Sequence, residues 1–290
     1  MRADSKGNKP DWLKIRVRQN EHYGTVEEVL SQNHLHTVCV EANCPNRLEC
    51  YGKKTATFMI LGRVCTRNCT FCNVTKGDVD PVDPEEPEAV GRAVEALGLR
   101  HAVVTSVTRD DLEDGGAEHF YRVIRAIRKR KPDTIIEVLI PDFQGKEAPL
   151  KRVMEAGPEI INHNVETVPS LYHRVRPMAD YRRSLELLRR VKAAHPEIYT
   201  KSGMMAGLGE EEDQVLKTFS HLREAGCEIL TIGQYLAPSP QHHPVVEYVH
   251  PRQFEQYEAA ARRMGFLSVA SAPFVRSSYN AAELLERIKK

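Results

Sequence analysis

Short apolar runs alternate with amphipathic stretches over most of this chain. TATFMILG at 55–62, HAVVTSV at 101–107, IIEVLI at 135–140, EIINHNV at 159–165, YTKSGMMA at 199–206 and EILTIGQYL at 228–236 are brief and apolar. Their length and the turn residues around them predict buried strands. The intervening stretches carry apolar residues at helical spacing: Val90, Val94 and Leu97 within 84–98, Tyr121, Ile124 and Ile127 within 117–131, and Leu185, Leu188 and Val191 within 181–195. Further helices are predicted at 150–156, 211–226 and 250–265, followed by a last apolar run at 266–270. Such alternation builds parallel strands joined by right-handed crossovers, an α/β fold. About six repeats of roughly thirty residues are too few for a closed eight-unit barrel, and active groups are expected at the C-terminal ends of the strands.

The two ends differ from this body. Residues 1–38 are polar apart from TVEEVL at 25–30, a predicted helix with Thr25 as its cap. The expected organisation is an N-terminal extension with a cysteine loop (1–54), a strand–helix body (55–265) and a C-terminal extension (266–290).

Composition narrows the classes. Of 290 residues, 41% are hydrophobic, enough for a sizeable core. The 41 basic and 40 acidic residues leave a formal charge of +1, which points to neither a nucleic-acid nor a membrane partner. The basic cluster RAIRKRK at 125–131 keeps its apolar positions at helical spacing, so a solvated helix face explains it. No apolar run reaches the roughly eighteen residues of a membrane span, and MRADSKGNKPDWLKIRV lacks the apolar core of a secretory signal. Clustered cysteines suit a reducing compartment, so a cytoplasmic location is expected.

Six of the seven cysteines fall between 39 and 72, in two trios. Cys39, Cys44 and Cys50 are spaced C-x4-C-x5-C; Cys65, Cys69 and Cys72 are spaced C-x3-C-x2-C. Each trio is close enough in sequence for one inorganic centre, yet each is one ligand short of the four that a structural zinc or an iron–sulfur cube takes. An open position on a metal is where chemistry takes place. Pro45 favours a turn that folds the first three thiolates together. Cys227 stands alone and reads as a small buried hydrophobe.

The second trio, with Phe71 just before its last cysteine, resembles the signature of radical S-adenosylmethionine enzymes. The resemblance implies that Cys65, Cys69 and Cys72 hold a 4Fe-4S cluster whose fourth iron binds the cofactor, and that one electron then releases a 5′-deoxyadenosyl radical. It also implies that the repeats curl into a partial (β/α)6 TIM-like barrel. The first trio, upstream of the second, resembles the lipoyl synthase family. There the trio holds a second, auxiliary 4Fe-4S cluster whose fourth ligand is a serine of an Arg-Ser-Ser-Tyr motif. This chain has Arg276-Ser277-Ser278-Tyr279. By the family pattern Ser278, next to the tyrosine, is the ligand, with Ser277 the alternative.

Further blocks extend the resemblance over nearly the whole chain. The run TSVTRDDLEDGGA follows the second strand, and Thr105 and Ser106 are implied contacts to the methionine amine, although Asp110 or Asp114 there can also cap a helix. The run NHNVET ends the fourth strand, and Asn164 and Glu166 are implied ribose partners. His163 alternates with them, so it faces the other way as a packed histidine. Lys201 in the fifth strand is an implied contact to the cofactor carboxylate or a polar group nearby, and GLGE at 207–210 ends that strand as a tight turn; Gln234 and Tyr235, at the sixth, lie where adenine is expected. Arg174, Arg176 and the histidines at 242–243 are further candidates, set against solvated surface charge.

The implied activity is that of a sulfurtransferase inserting two sulfur atoms, at C6 and C8, into a protein-bound octanoyl group. S-adenosylmethionine supplies the radical, and the auxiliary cluster is consumed as sulfur donor. The implied partners are an octanoylated lipoyl-carrier domain (of a 2-oxoacid dehydrogenase E2 or a glycine-cleavage H protein), a reducing electron donor and an iron–sulfur carrier that rebuilds the cluster. Another radical sulfur-inserting enzyme, a non-catalytic iron–sulfur carrier and a zinc module are the competing readings. The upstream trio with RSSY weighs against the first. The large body and open ligand sets weigh against the others.

Overall fold

Parallel strands covered by helices on both faces tend to be apolar throughout, because neither face meets water. The strands here are buried but not apolar throughout, since Thr57, His101, Thr105, Glu137, Asn162, Lys201 and Gln234 lie in them. In β2 (Thr57–Ile60) and β9 (Ile229–Gln234) every residue is buried. The computed structural model describes residues 9–14, 22–279 and 281. It divides into two compact units, one of residues 17–67 and 73–162, the other of 1–16, 68–72 and 163–290.

The first unit contains β2, β5 (His101–Ser106), β6 (Ile135–Leu139) and β7 (Ile160–Asn162) as parallel neighbours in that order, with β1 (His36–Thr37) antiparallel to β2. Thr57 stands opposite Val103, and Glu137 opposite both Val103 and Ile160. Helices α4 (Glu86–Ala96), α5 (Ala117–Arg130) and α6 (Glu147–Glu155) supply the crossovers. In α5, Phe120, Val123, Ile124 and Ile127 are buried. Each such side chain contributes roughly 1.5–3 kcal/mol over leaving it in water. The basic face of α5 forms ion pairs: Arg128 with Glu159 at 2.6 Å, and Arg130 with Glu88 and Glu95 at 3.3 and 3.1 Å. Two short helices, α2 (Val38–Glu41) and α3 (Arg47–Gly52), and a two-strand ladder of β3 (Val64–Cys65) and β4 (Thr75–Lys76) lie outside the repeats.

The second unit has β8 (Tyr199–Ala206), β9 and β10 (Ser268–Ser271) as parallel neighbours, with α7 (Tyr172–Val175), α8 (Tyr181–Ala194), α9 (Glu212–Glu224) and α10 (Pro251–Arg263). Asp180 caps α8 by accepting from the Arg183 amide, and Glu211 and Gln214 form a reciprocal cap at the start of α9.

The α/β class and the order of strands and helices agree with the reading of the sequence, with ends shifted by a few residues. One cap differs. The first helix, α1 (Tyr23–Gln32), begins before Thr25, and no side chain caps it. Tyr23 packs on Tyr51 with ring centroids 5.3 Å apart, and that contact extends the helix past the polar signal. Asp114 accepts from the amides of Gly116 and Glu118 at the start of α5, whereas Asp110 turns to a different partner.

The C-terminal segment crosses directly over β9. Gln234 donates its amide to the Pro273 carbonyl, Ala272 donates to the Ile232 carbonyl, and a Cβ placed on Gly233 would stand 1.9 Å from the Val275 carbonyl oxygen. Gly233→Ala is therefore expected to push residues 272–279 off β9 and to cost about 2 kcal/mol or more of stability. Hydrogen exchange resolved along the chain checks this. Unchanged protection of 268–279 in the variant would rule out the close packing.

Candidate functional site

The first cysteine trio sits on short, tightly turned backbone. Cys39 lies in α2, Cys50 in α3, and Cys44 in the turn between them. Cys44 donates its amide to the Cys39 carbonyl at 3.1 Å, and Thr55 donates both its amide and its hydroxyl to the Cys50 carbonyl at 2.9 and 2.8 Å. Tyr51 anchors the loop from beneath through its hydroxyl, 2.8 Å from that of Thr37. The three thiols feel one another. Burial lifts Cys39 to about 11, helped by the neighbouring Cys44. Burial lifts Cys50 to about 12, helped by both other cysteines. A ligating thiolate must lose its proton, so a set of crowded, desolvated thiols suits a strongly cationic centre that offsets this cost. Among the described residues no three His, Cys, Asp or Glu side chains converge as for one ion, whereas a cube takes each thiolate at a separate corner.

The second trio divides between the units: Cys65 belongs to the first, Cys69 and Cys72 to the second. None of the seven cysteines forms a disulfide. In the first unit, the chain leaves β2 through Leu61 and Gly62, at φ +68° and +90°. A leucine there is strained by about 1–3 kcal/mol, and its surroundings hold it. Its amide donates to Glu86 Oε2 at 2.8 Å, and His119 Nε2 lies 2.7 Å from the same oxygen. Its carbonyl accepts from Arg109 Nη1, itself paired with Asp111. Cys65 Sγ then accepts the amides of Arg67 and Thr108, each at 3.4 Å.

Arg67 is buried between two carboxylates. Its Nε and Nη2 reach both Asp110 oxygens at 2.7 and 2.9 Å, and Nη2 reaches Asp142 at 2.5 Å. Burial opposes its charge, but the hydrogen bonds it donates to Asp110 and Asp142 outweigh that and hold it above the usual arginine range. Thr105 and Ser106 end β5. The Thr105 hydroxyl donates to the Leu139 carbonyl, while the Ser106 hydroxyl is buried without a partner.

In the second unit, Asn164 and Glu166 face one another, with Asn164 Nδ2 donating to Glu166 Oε1 at 3.0 Å. Glu166 has φ +65°, and burial raises its carboxyl although Arg176 and Asn164 pull the other way. Arg176 Nη1 donates to the carbonyls of Asn164 and Val165 and to the Tyr172 hydroxyl, while its Nε and Asn164 Oδ1 are buried without partners. Burial works against the charge on Arg176, and Tyr172, Glu166 and Cys69 together keep it protonated. His163 points away into the helical layer, 3.1 Å from the Ser184 hydroxyl.

The 69–72 arm is tied to the loop after β9. Thr70 donates its amide to the Val175 carbonyl and accepts at its own carbonyl from the His243 amide, and His242 Nε2 lies 3.2 Å from the Cys72 carbonyl. Phe71 is half-buried beside it. Tyr235 and Gln234 brace the same loop. The tyrosine hydroxyl donates to the His243 carbonyl; the Gln234 amide donates to the Tyr235 and Glu247 carbonyls and accepts from Val249. Lys201 is buried in β8. Ser277 and Ser278 follow β10 and are half-exposed.

These residues fit the implied groups. Backbone amides aimed at Cys65 Sγ suit a cluster thiolate. Ser106 Oγ in the first unit and, separately, Asn164 Oδ1 in the second are buried without partners, the kind of acceptor that a hydroxyl or amine donor satisfies, and Gly203 keeps space beside Asn164, since a Cβ there would lie 2.8 Å from Oδ1. Arg67, Asp142, Glu86 and His119 were not marked by the sequence. They have no local motif, and the pairings that join them to the rest of the site span 25 to 75 positions.

Residues 59–222 match the radical SAM superfamily model. The lipoyl synthase of Alkaliphilus metalliredigens is 55% identical over 279 residues, 96% of each chain. That of Caldicellulosiruptor saccharolyticus is 56% identical over 275 residues, 95% of this chain and 96% of its own. The crystal structure of methylornithine synthase shares the fold at a TM-score of 0.53 and 12% identity, over 86% of this chain and 74% of that one. The chain belongs to the lipoyl synthase family of the radical SAM superfamily.

Proposed function

We infer that this chain inserts sulfur at C6 and C8 of a protein-bound octanoyl group, using S-adenosylmethionine and two 4Fe-4S clusters. One observation carries the reading: two cysteine trios, each a ligand short, occur with an RSSY segment held against β9. Cys65, Cys69 and Cys72 hold one cluster, and Cys39, Cys44 and Cys50 with Ser278 hold the other. Segments 1–54 and 266–290 thus carry the auxiliary centre, and 55–265 the radical one. Bound there, the groups supply a carbon-centred radical able to take hydrogen from unactivated C–H bonds, and sulfur for the new C–S bonds.

The protein's part is to bind, orient and exclude. Asn164 and Glu166 accept from ribose hydroxyls; Thr105, Ser106 and Phe71 line the amino-acid end. Lys201, Gln234 and Tyr235 shape the remaining wall, the last two chiefly by fixing the loop after β9. Ser278 offers an oxygen, easier to displace from iron than a thiolate. A Ser278→Cys variant with full turnover would sink that role. The partners are an octanoylated lipoyl-carrier domain, an electron donor and an iron–sulfur carrier, in the cytosol. Among the described residues no helix is long and apolar enough to cross a membrane.

Replacing Cys39, Cys44 and Cys50 together by alanine is expected to lower the iron of anaerobically reconstituted protein from about eight to about four per chain. Cofactor cleavage survives while sulfur insertion is lost. Equal iron in both proteins would remove the sulfur-donor role. Glu166 gives a pH signature. Its folded value lies above 4.5, so the folded state holds its proton more tightly and stability falls as pH rises through that window. Thermal melts of Glu166→Gln against the parent should therefore shift in the variant's favour as pH rises above the ordinary glutamate range. A difference independent of pH would contradict the buried carboxyl.

A further inference from the structure

We propose that Arg67, clamped by Asp110 and Asp142, is a positioning residue for Cys65. The inference rests on the reading of Cys65 as a cluster ligand. Arg67 stands two positions after Cys65, yet its side chain is only 5% exposed, and Asp142 is fully buried. A solvated arginine would serve as well if the position were only part of a surface loop. Instead the guanidinium makes a forked pair with both oxygens of Asp110 and a further bond to Asp142, a geometry that a lysine ammonium cannot reproduce.

The clamp fixes the two amides that point at the sulfur. One belongs to Arg67 itself and the other to Thr108, each 3.4 Å from Cys65 Sγ. The two segments are cross-laced. Thr66 donates its amide and its hydroxyl to the Thr108 carbonyl at 3.0 and 2.9 Å, and its hydroxyl oxygen accepts the Asp110 amide at 3.0 Å. The fork to Asp110 closes the lace at its far end. Asp142 is held in turn by accepting the Gln144 amide at 3.1 Å, within a turn where Phe143, Gln144 and Gly145 all have positive φ, at 46°, 55° and 81°. Consecutive left-handed residues persist only where the surroundings dictate them. The Phe143 ring packs so closely on Gly115 that a Cβ there would lie 3.0 Å from it.

Amides aimed at a ligand sulfur tune how readily a cluster accepts an electron, because each presents the positive end of its dipole to a centre that becomes more negative. Loosening them should lower the midpoint potential. The test uses the full chain, reconstituted anaerobically, with Cys39, Cys44 and Cys50 replaced by alanine so that the second trio is read alone. Arg67→Lys keeps the charge and loses the fork. Thr66→Val removes the lacing hydroxyl at nearly constant volume, and Thr66→Ser restores it.

Arg67→Lys and Thr66→Val are expected to lower the midpoint potential, alter the electron paramagnetic resonance signal and lose iron to a chelator several-fold faster, with Thr66→Ser behaving as the parent. If Arg67→Lys does not fold, Thr66→Val against Thr66→Ser decides. Lowered melting temperatures with unchanged potential and iron retention would make the clamp a structural brace and overturn the inference. A parent that takes up no iron on Cys65, Cys69 and Cys72 would instead overturn the cluster reading, and this inference with it.

Discussion

Parallel pairing is the constraint on which the rest depends. Strands that run the same way must each be followed by a crossover, so in each unit the loops that leave the strands gather at one end. In the first unit that end carries Leu61, Ser106 and Asp142, which follow or close β2, β5 and β6. In the second it carries Gly207, Gln234 and the segment after β10. Polar residues at these ends cost the strand ladders little, because the ladders have already stopped there.

Local strain collects at the same ends. Leu61, Phe143, Gln144 and Glu166 all have positive φ without being glycine. Three of them are held by polar anchors, one 25 positions away and two only two positions away. Glu86 holds the Leu61 amide, Asp142 the Gln144 amide, and Asn164 the Glu166 carboxylate. Such anchors are buried, and a buried carboxylate is retained only where donors satisfy it. Asp142 and Asp110 meet that condition through Arg67, and Glu86 through the Leu61 amide and His119. The loops that carry cysteines are thus fixed by hydrogen bonds as well as by buried side chains such as Tyr51 and Leu61.

Crowded thiols set the other electrostatic demand. Cys39 and Cys50 are pushed up mainly by burial, with neighbouring cysteines adding to the shift. Cys227 is raised by burial as well, but it lies deep in the second unit with its sulfur near the Ile229 and Thr200 carbonyls. Isolation, not chemistry, separates it from the six. On the basic face of α5, Arg128 and Arg130 are paired by neighbouring acids, Glu88 and Glu95 of α4 and Glu159 before β7.

The sequence by itself determined the strand–helix order, because apolar periodicity records which faces are buried whatever the partner. It also determined the cysteine spacings, since ligands within a dozen residues are constrained by the chain alone. It separated His163 from Asn164 and Glu166 through strand alternation, and the structure shows that histidine packed on Ser184. Only the tertiary structure decided what Arg67, Asp110, Asp142, Glu86 and His119 do. Asp110 looked like a helix cap and is an arginine partner, and Gln234 stands at a strand end with its amide spent on the loop after it. The physical reason is the same in each case. A hydrogen bond between residues far apart in sequence leaves no periodic or compositional trace, because its geometry exists only once the strands have set both ends.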